Sequence, residues 1–135
     1  MDIVAGFIRS AEGRAALDRS IDEARLRGAR LVIVHSSKGG SHESEEELIA
    51  NREELGRISE ELTVAGVEHE IREMARGRTP AEDVVSVANE TGADLIVIGL
   101  RRRSPVGKLV LGSNAQDILL QADCAVLAVK PKPMA

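Results

Sequence analysis

Four apolar runs of strand length mark the chain: Ile3-Val4-Ala5-Gly6-Phe7, Leu31-Val32-Ile33-Val34, Leu95-Ile96-Val97-Ile98-Gly99 and Ala125-Val126-Leu127-Ala128-Val129. Runs this short and this continuously apolar predict strands covered on both faces, as in a parallel sheet packed between helices. A fifth stretch alternates instead, with Val67, His69 and Ile71 between Glu68, Glu70 and Arg72. One wet face suits a strand at a sheet edge.

Between these runs the period changes to that of a helix. Leu17, Ile21 and Ala24 repeat at helical spacing after a capping Ser10, with Arg14, Asp18, Glu23 and Arg25 elsewhere, and Gly28 fits the stop. Ser44-Glu45-Glu46-Glu47 reads as a capping box opening a long helix whose stripe is Leu48, Leu55, Ile58, Leu62 and Ala65, ended by Gly66. Thr79-Pro80-Ala81-Glu82 is the clearest helix start, with Ala81, Val84, Val85 and Ala88 inward and Gly92 as the stop. Gly112-Ser113-Asn114 opens the last periodic segment, Ala115 to Ala122, and Pro131 and Pro133 prevent extension of the last strand. Strand and helix therefore alternate from end to end, which predicts an α/β, doubly wound parallel sheet with helices on both faces. Ser37 to Glu43, polar and rich in Ser and Gly, reads as a flexible loop.

At 135 residues the expectation is a single domain, residues 1–135. One Phe and no Tyr or Trp leave the core to Val, Ile, Leu and Ala, and exclude an aromatic platform for single-stranded nucleic acid. A net charge of -4 offers no general attraction to nucleic acid or an anionic membrane. No apolar run has the length of a membrane helix. Cys124 stands alone, so no internal disulfide forms. The Met1-Asp2-Ile3-Val4 start lacks the pattern of a signal peptide, and a cytoplasmic protein is expected.

The chemistry centres on Gly99. A buried strand ends there, a basic segment with Arg101, Arg102, Arg103, Gly107 and Lys108 follows, and Gly112 and Ser113 open a helix. A helix start presents unpaired N–H groups and the positive end of its dipole, which suits an anion, usually a phosphate. Blander readings stand beside this one: Gly99 as a tight turn, Gly112-Ser113 as a plain cap, the arginines as a solvated loop. Gly107-Lys108 is followed by Leu109, so a Walker A loop fails for want of the magnesium hydroxyl. His35 reads as a structural histidine near the end of a strand, and neither His42 nor His69 has metal spacing around it. No nucleophile elbow and no H-E-x-x-H helix is present, so no catalytic residue and no metal site are expected.

Nearly the whole chain resembles the universal stress protein family. The family signature is G-x2-G-x9-G-[ST]; Gly99 and Gly112-Ser113 match its outer members at the right spacing. Gly92 to Gly99, Leu109 to Ser113, Ala122 to Val129 and Gly77-Arg78-Thr79-Pro80-Ala81 match as well. The resemblance implies a five-stranded sheet of order 3-2-1-4-5, and a homodimer through the C-terminal strand. In one branch it also implies ATP or AMP bound where the strand order reverses. Gly6, Ser36, Gly99, Arg102, Gly112, Ser113 and Asn114 would then surround the nucleotide: Gly6 and Ser36 at the adenosine side, the others at the phosphates. Two positions depart from the nucleotide-binding pattern. Arg102 replaces the middle glycine, and Ile8 stands where such members carry an acid after the first strand. Arg102 either obstructs the pocket or clamps the phosphates. The alternative function is a protein of the same fold with an empty or anion-only cleft, acting through protein contacts.

Overall fold

The computed structural model describes residues 1–36, 44–74, 77–103 and 108–131, with only the backbone at 102–103 and 108–110. β1 (Asp2–Gly6), α1 (Ala11–Arg27), β2 (Arg30–Ser36), α2 (Glu45–Val64) and β3 (His69–Met74) form the first part. α3 (Pro80–Thr91), β4 (Leu95–Gly99), β5 (Arg101–Arg103), β6 (Lys108–Val110), α4 (Ser113–Gln121) and β7 (Ala125–Val129) follow. Five strands make one sheet in the order β3-β2-β1-β4-β7, with every neighbouring pair parallel. Counting core strands alone, this is the expected 3-2-1-4-5.

The pleat sorts the apolar runs between two cores. Ile3, Ala5, Leu31, Ile33, Leu95 and Val97 face Ala16, Leu17 and Ala24 of α1 and Leu55, Ile58 and Leu62 of α2. The alternate residues Val4, Val32, Val34, Ile96 and Ile98 face Ala81, Val84, Val87 and Ala88 of α3 and Ile118 of α4. Each run is apolar throughout because each strand contributes to both.

The helix starts hold in detail. Ser10 Oγ accepts from Gly13 N at 3.0 Å, and Ser44 Oγ from Glu47 N at 3.1 Å. Thr79 and Glu82 cap one another reciprocally. Gly28 takes φ 62°, a left-handed turn that glycine adopts without steric cost.

Several expectations need correction. The segment from Gly99 to Gly112 is not loop throughout: β5 and β6 pair antiparallel, with Arg102 opposite Leu109. Pairing there is through backbone, so no apolar alternation marks it. Leu48 is 41% exposed; burial on α2 begins at Leu55, so its first turns lie off the sheet. On α3, Val87 is fully buried as well, while Val85 packs against the same core but is only partly buried. Glu23 is covered rather than solvated, held by Arg19 at 3.3 Å and Arg27 at 3.1 Å. Ser37 to Glu43, with His42, and Gly107 and Pro133 lie outside the described residues.

A chain of ion pairs crosses the strands where β1, β2 and β3 begin. Arg30 reaches Asp2 and Glu70, both at 3.0 Å, and Arg72 reaches Glu70 at 2.9 Å and also Glu90. The hydrogen bond from Arg30 holds the Asp2 carboxyl below its ordinary range, and that from Arg72, then Arg30, does the same for Glu70. A carboxylate lowered on folding contributes stability above its unfolded pKa and loses it as pH falls through the folded value. Unfolding free energy should therefore hold between about pH 7 and about pH 5 and fall toward about pH 2. Urea titrations of Arg30→Met should show a shallower fall; an unchanged slope would exclude this network as its source.

Candidate functional site

The crossovers leave β1 and β4 in opposite directions. At that reversal the carboxyl ends of adjacent strands part and open a cleft, the place where open α/β sheets bind ligands. Two joined compartments occupy it. The inner one, about 160 Å³, is mostly apolar and is lined by Gly6, Ile8, Ser36, Val84, Ile98 and Ile118, among others. The outer one, about 330 Å³, is more polar and is lined by Leu100, Arg101, Gly112 and Ser113. Ile8, Glu12, Gly99, Asn114 and Ala115 border both.

The outer compartment ends on the first turn of α4. Gly112 is the N-cap, with no side-chain cap bond, and the first helical bond runs from Gln116 N to Gly112 O at 3.0 Å. The amides of Ser113, Asn114 and Ala115 thus precede the first intrahelical donor, and the helix dipole adds positive potential. The Asn114 side chain is tied down: its Oδ1 accepts from Ala81 N at 3.2 Å, joining α4 to the start of α3. That bond fixes which atom is oxygen and leaves Nδ2, a donor, for the cleft.

Six of the seven predicted residues come together here. Gly6 and Ser36 line the inner compartment, Gly112 and Ser113 the outer, and Gly99 and Asn114 both. For Arg102 the structure describes only the backbone, within β5; its side chain lies outside the described residues. Gly99 has a packing role as well. A Cβ there would lie 2.7 Å from the carbonyl carbon of Glu12 and closer still to its oxygen, so the first turn of α1 rests directly on the end of β4. Gly112 has open space where a Cβ would stand.

Two acidic residues, one bordering the cleft and one buried behind Ser36, had no sequence signal. Glu12, in the first turn of α1, borders both compartments and lies 3.8 Å from the Arg101 guanidinium. Asp83, in the first turn of α3, is 1% exposed and accepts a hydrogen bond from Ser36 Oγ at 2.7 Å. Both read as solvated helix positions, because only the tertiary fold closes over them.

His69 does structural work: its Nδ1 lies 2.9 Å from Val67 O, to which it donates, and its Nε2 3.0 Å from Ser59 Oγ, so the ring ties β3 to α2. Burial pushes the Cys124 thiol up, away from a reactive thiolate. Among the described residues no cluster of His, Cys, Asp and Glu could hold a metal ion, and no helix is long and apolar enough to cross a membrane.

A model of the universal stress protein family matches residues 1–130. A universal stress protein of Mycolicibacterium smegmatis is 37% identical over 129 residues, covering 96% of this chain and 97% of that protein. The solved structure of a universal stress protein from Archaeoglobus fulgidus superposes with a TM-score of 0.81 at 38% identity, covering 96% of this chain and 98% of the other. A second, from the same organism in complex with dAMP, gives a TM-score of 0.76 at 34% identity, with the same coverage.

Proposed function

This chain belongs to the universal stress protein family, and we propose that it is a cytoplasmic binding module for an adenine nucleotide, ATP or AMP. The observation that carries the reading is the two-part cleft: an apolar compartment continuous with a polar one that ends on unpaired helix amides. The base enters the first, between Gly6 and Ser36. The phosphates lie in the second, against Gly99, Gly112, Ser113 and Asn114. Glu12, at the junction, accepts hydrogen bonds from the sugar hydroxyls. The dAMP complex of the Archaeoglobus fulgidus relative supports this class of ligand. Turnover is no part of the proposal, and any hydrolysis of ATP is slow and incidental.

Ile8 favours a second reading. It is 43% exposed and presents a branched apolar side chain to both compartments. With Ile8 filling the adenosine end, the cleft holds a small anion alone and the protein acts through protein contacts. Calorimetry with AMP, ATP and inorganic phosphate separates the two: nucleotide binding stronger than phosphate binding supports the first reading, and phosphate binding alone supports the second.

Asn114 gives a sharper test. Asn114→Asp keeps an oxygen for Ala81 N and so keeps the fold, but it replaces the Nδ2 donor with negative charge. Affinity for AMP should fall roughly 10- to 100-fold, the value of one hydrogen bond to a charged group. An unchanged Kd would remove this side chain from the phosphate site.

We further propose that the protein is a homodimer paired through β7. This strand bonds to β4 on one side only, and its side chains are half-buried or exposed in the isolated chain. Antiparallel pairing with a second β7 would satisfy the open edge.

A further inference from the structure

Among the described residues, Ser36 is the one hydroxyl lining the inner compartment, and its proton is already committed. Its Oγ donates to Asp83 Oδ2 at 2.7 Å. Asp83 is almost wholly buried in the first turn of α3, where its Oδ2 accepts the serine's hydrogen bond. A carboxylate only accepts hydrogen bonds, and a serine has a single proton to give. The hydroxyl therefore turns its proton toward Asp83 and its remaining lone pair toward the cleft. Val34, Val84, Ile98 and Ile118 line the same compartment and offer no polar side-chain group, while Glu12 and Asn114 stand where it meets the outer one.

We infer that Ser36, oriented by Asp83, is a pure hydrogen-bond acceptor that selects bases carrying an exocyclic amino group. This rests on the adenine-nucleotide reading and deepens it: the apolar walls take any flat base, and Ser36 distinguishes among them. An amino group entering the compartment loses its water and recovers a bond at Ser36. A base with no donor there leaves the serine lone pair without a partner. Asp83 touches no ligand; it is a positioning residue.

The test compares AMP with purine riboside 5′-monophosphate, which differs only in lacking the amino group. Titration calorimetry on the wild-type protein should give AMP the lower Kd by roughly 3- to 10-fold, the range of one neutral hydrogen bond. In Ser36→Ala the two ligands should bind equally, with the purine riboside monophosphate hardly changed. That ratio is insensitive to a general loosening of the fold, which would weaken both ligands together. The wild-type comparison stands even if Ser36→Ala proves unstable. Equal wild-type affinities, or a preference that survives in Ser36→Ala, would overturn the inference while leaving nucleotide binding intact. Absence of binding by either nucleotide would overturn the inference and the adenine-nucleotide reading together.

Discussion

Alanine at Gly13 or Gly99 should destabilise the protein by about 3 kcal/mol or more, at or beyond the upper end of ordinary overpacking. A Cβ built on Gly13 falls against the backbone of Ile8, 2.9 Å from its carbonyl carbon and closer to its oxygen. One on Gly99 meets the backbone of Glu12 in the same way. In both cases the obstacle is main chain, which cannot rotate aside as a side-chain tip can. The two contacts are consecutive layers of one stack: the turn after β1, the first turn of α1, and the end of β4. Adding a methyl to either layer pushes α1 off the sheet and opens the cleft. The sign is informative, because Gly→Ala inside a helix ordinarily gains about 1 kcal/mol. Gly56, in α2, is the control: a Cβ there meets nothing within 4 Å. Gly56→Ala should stabilise by roughly 0.5–1 kcal/mol. Urea unfolding of the three variants measures all of this. A loss below about 1 kcal/mol at both Gly13 and Gly99 would show that α1 can shift without cost.

These glycines also mark where sequence reasoning stops. Gly99 was visible as the end of a strand and the start of a family signature, but its contact with Glu12 was not. That contact depends on how closely a helix far earlier in the chain approaches. The sequence pattern does not single out Gly13 at all. The strands were legible because runs such as Leu31 to Val34 serve two cores at once. The helix boundaries were legible because Ser10, Ser44 and Thr79 cap through local geometry. Asp83 and Glu23 were not, since a charge in a helical pattern reads as solvated and only packing buries it. Val85 and Val87 both pack on the core beneath α3, and Val87, missed in the sequence, is the more deeply buried. The β5–β6 hairpin escaped because its pairing is through backbone, while Arg101-Arg102-Arg103 reads as a charged loop. Of the residues grouped by the signature, Gly99, Gly112 and Ser113 line one cleft. Those supplied by α1 and α3, Glu12 and Asp83, emerge only in three dimensions.

Charge placed in β7 should be the other severe change. Leu127 pairs in register with Val97 and packs onto the core shared with α1. Leu127→Asp would set a carboxylate among apolar groups with no cation opposite, and a cost of about 3 kcal/mol or more is expected. Insoluble protein is the expected outcome. This alone does not separate a folding role from the proposed pairing of two β7 edges, and Ala128 supplies the distinction. Val129 O accepts from Leu100 N at 2.8 Å, so Val129 directs its polar groups toward β4. One residue earlier, Ala128 directs its N–H to the open edge. Ala128→Pro removes that donor while leaving the bonds to β4, and proline is tolerated on an edge strand. The variant should remain folded by circular dichroism and become monomeric by light scattering, whereas the wild-type protein scatters as a dimer. A wild-type monomer at micromolar concentration, or an Ala128→Pro dimer, would exclude β7 as the meeting edge. Leu127→Asp would still be expected to fail, because Leu127 belongs to the core of its own chain.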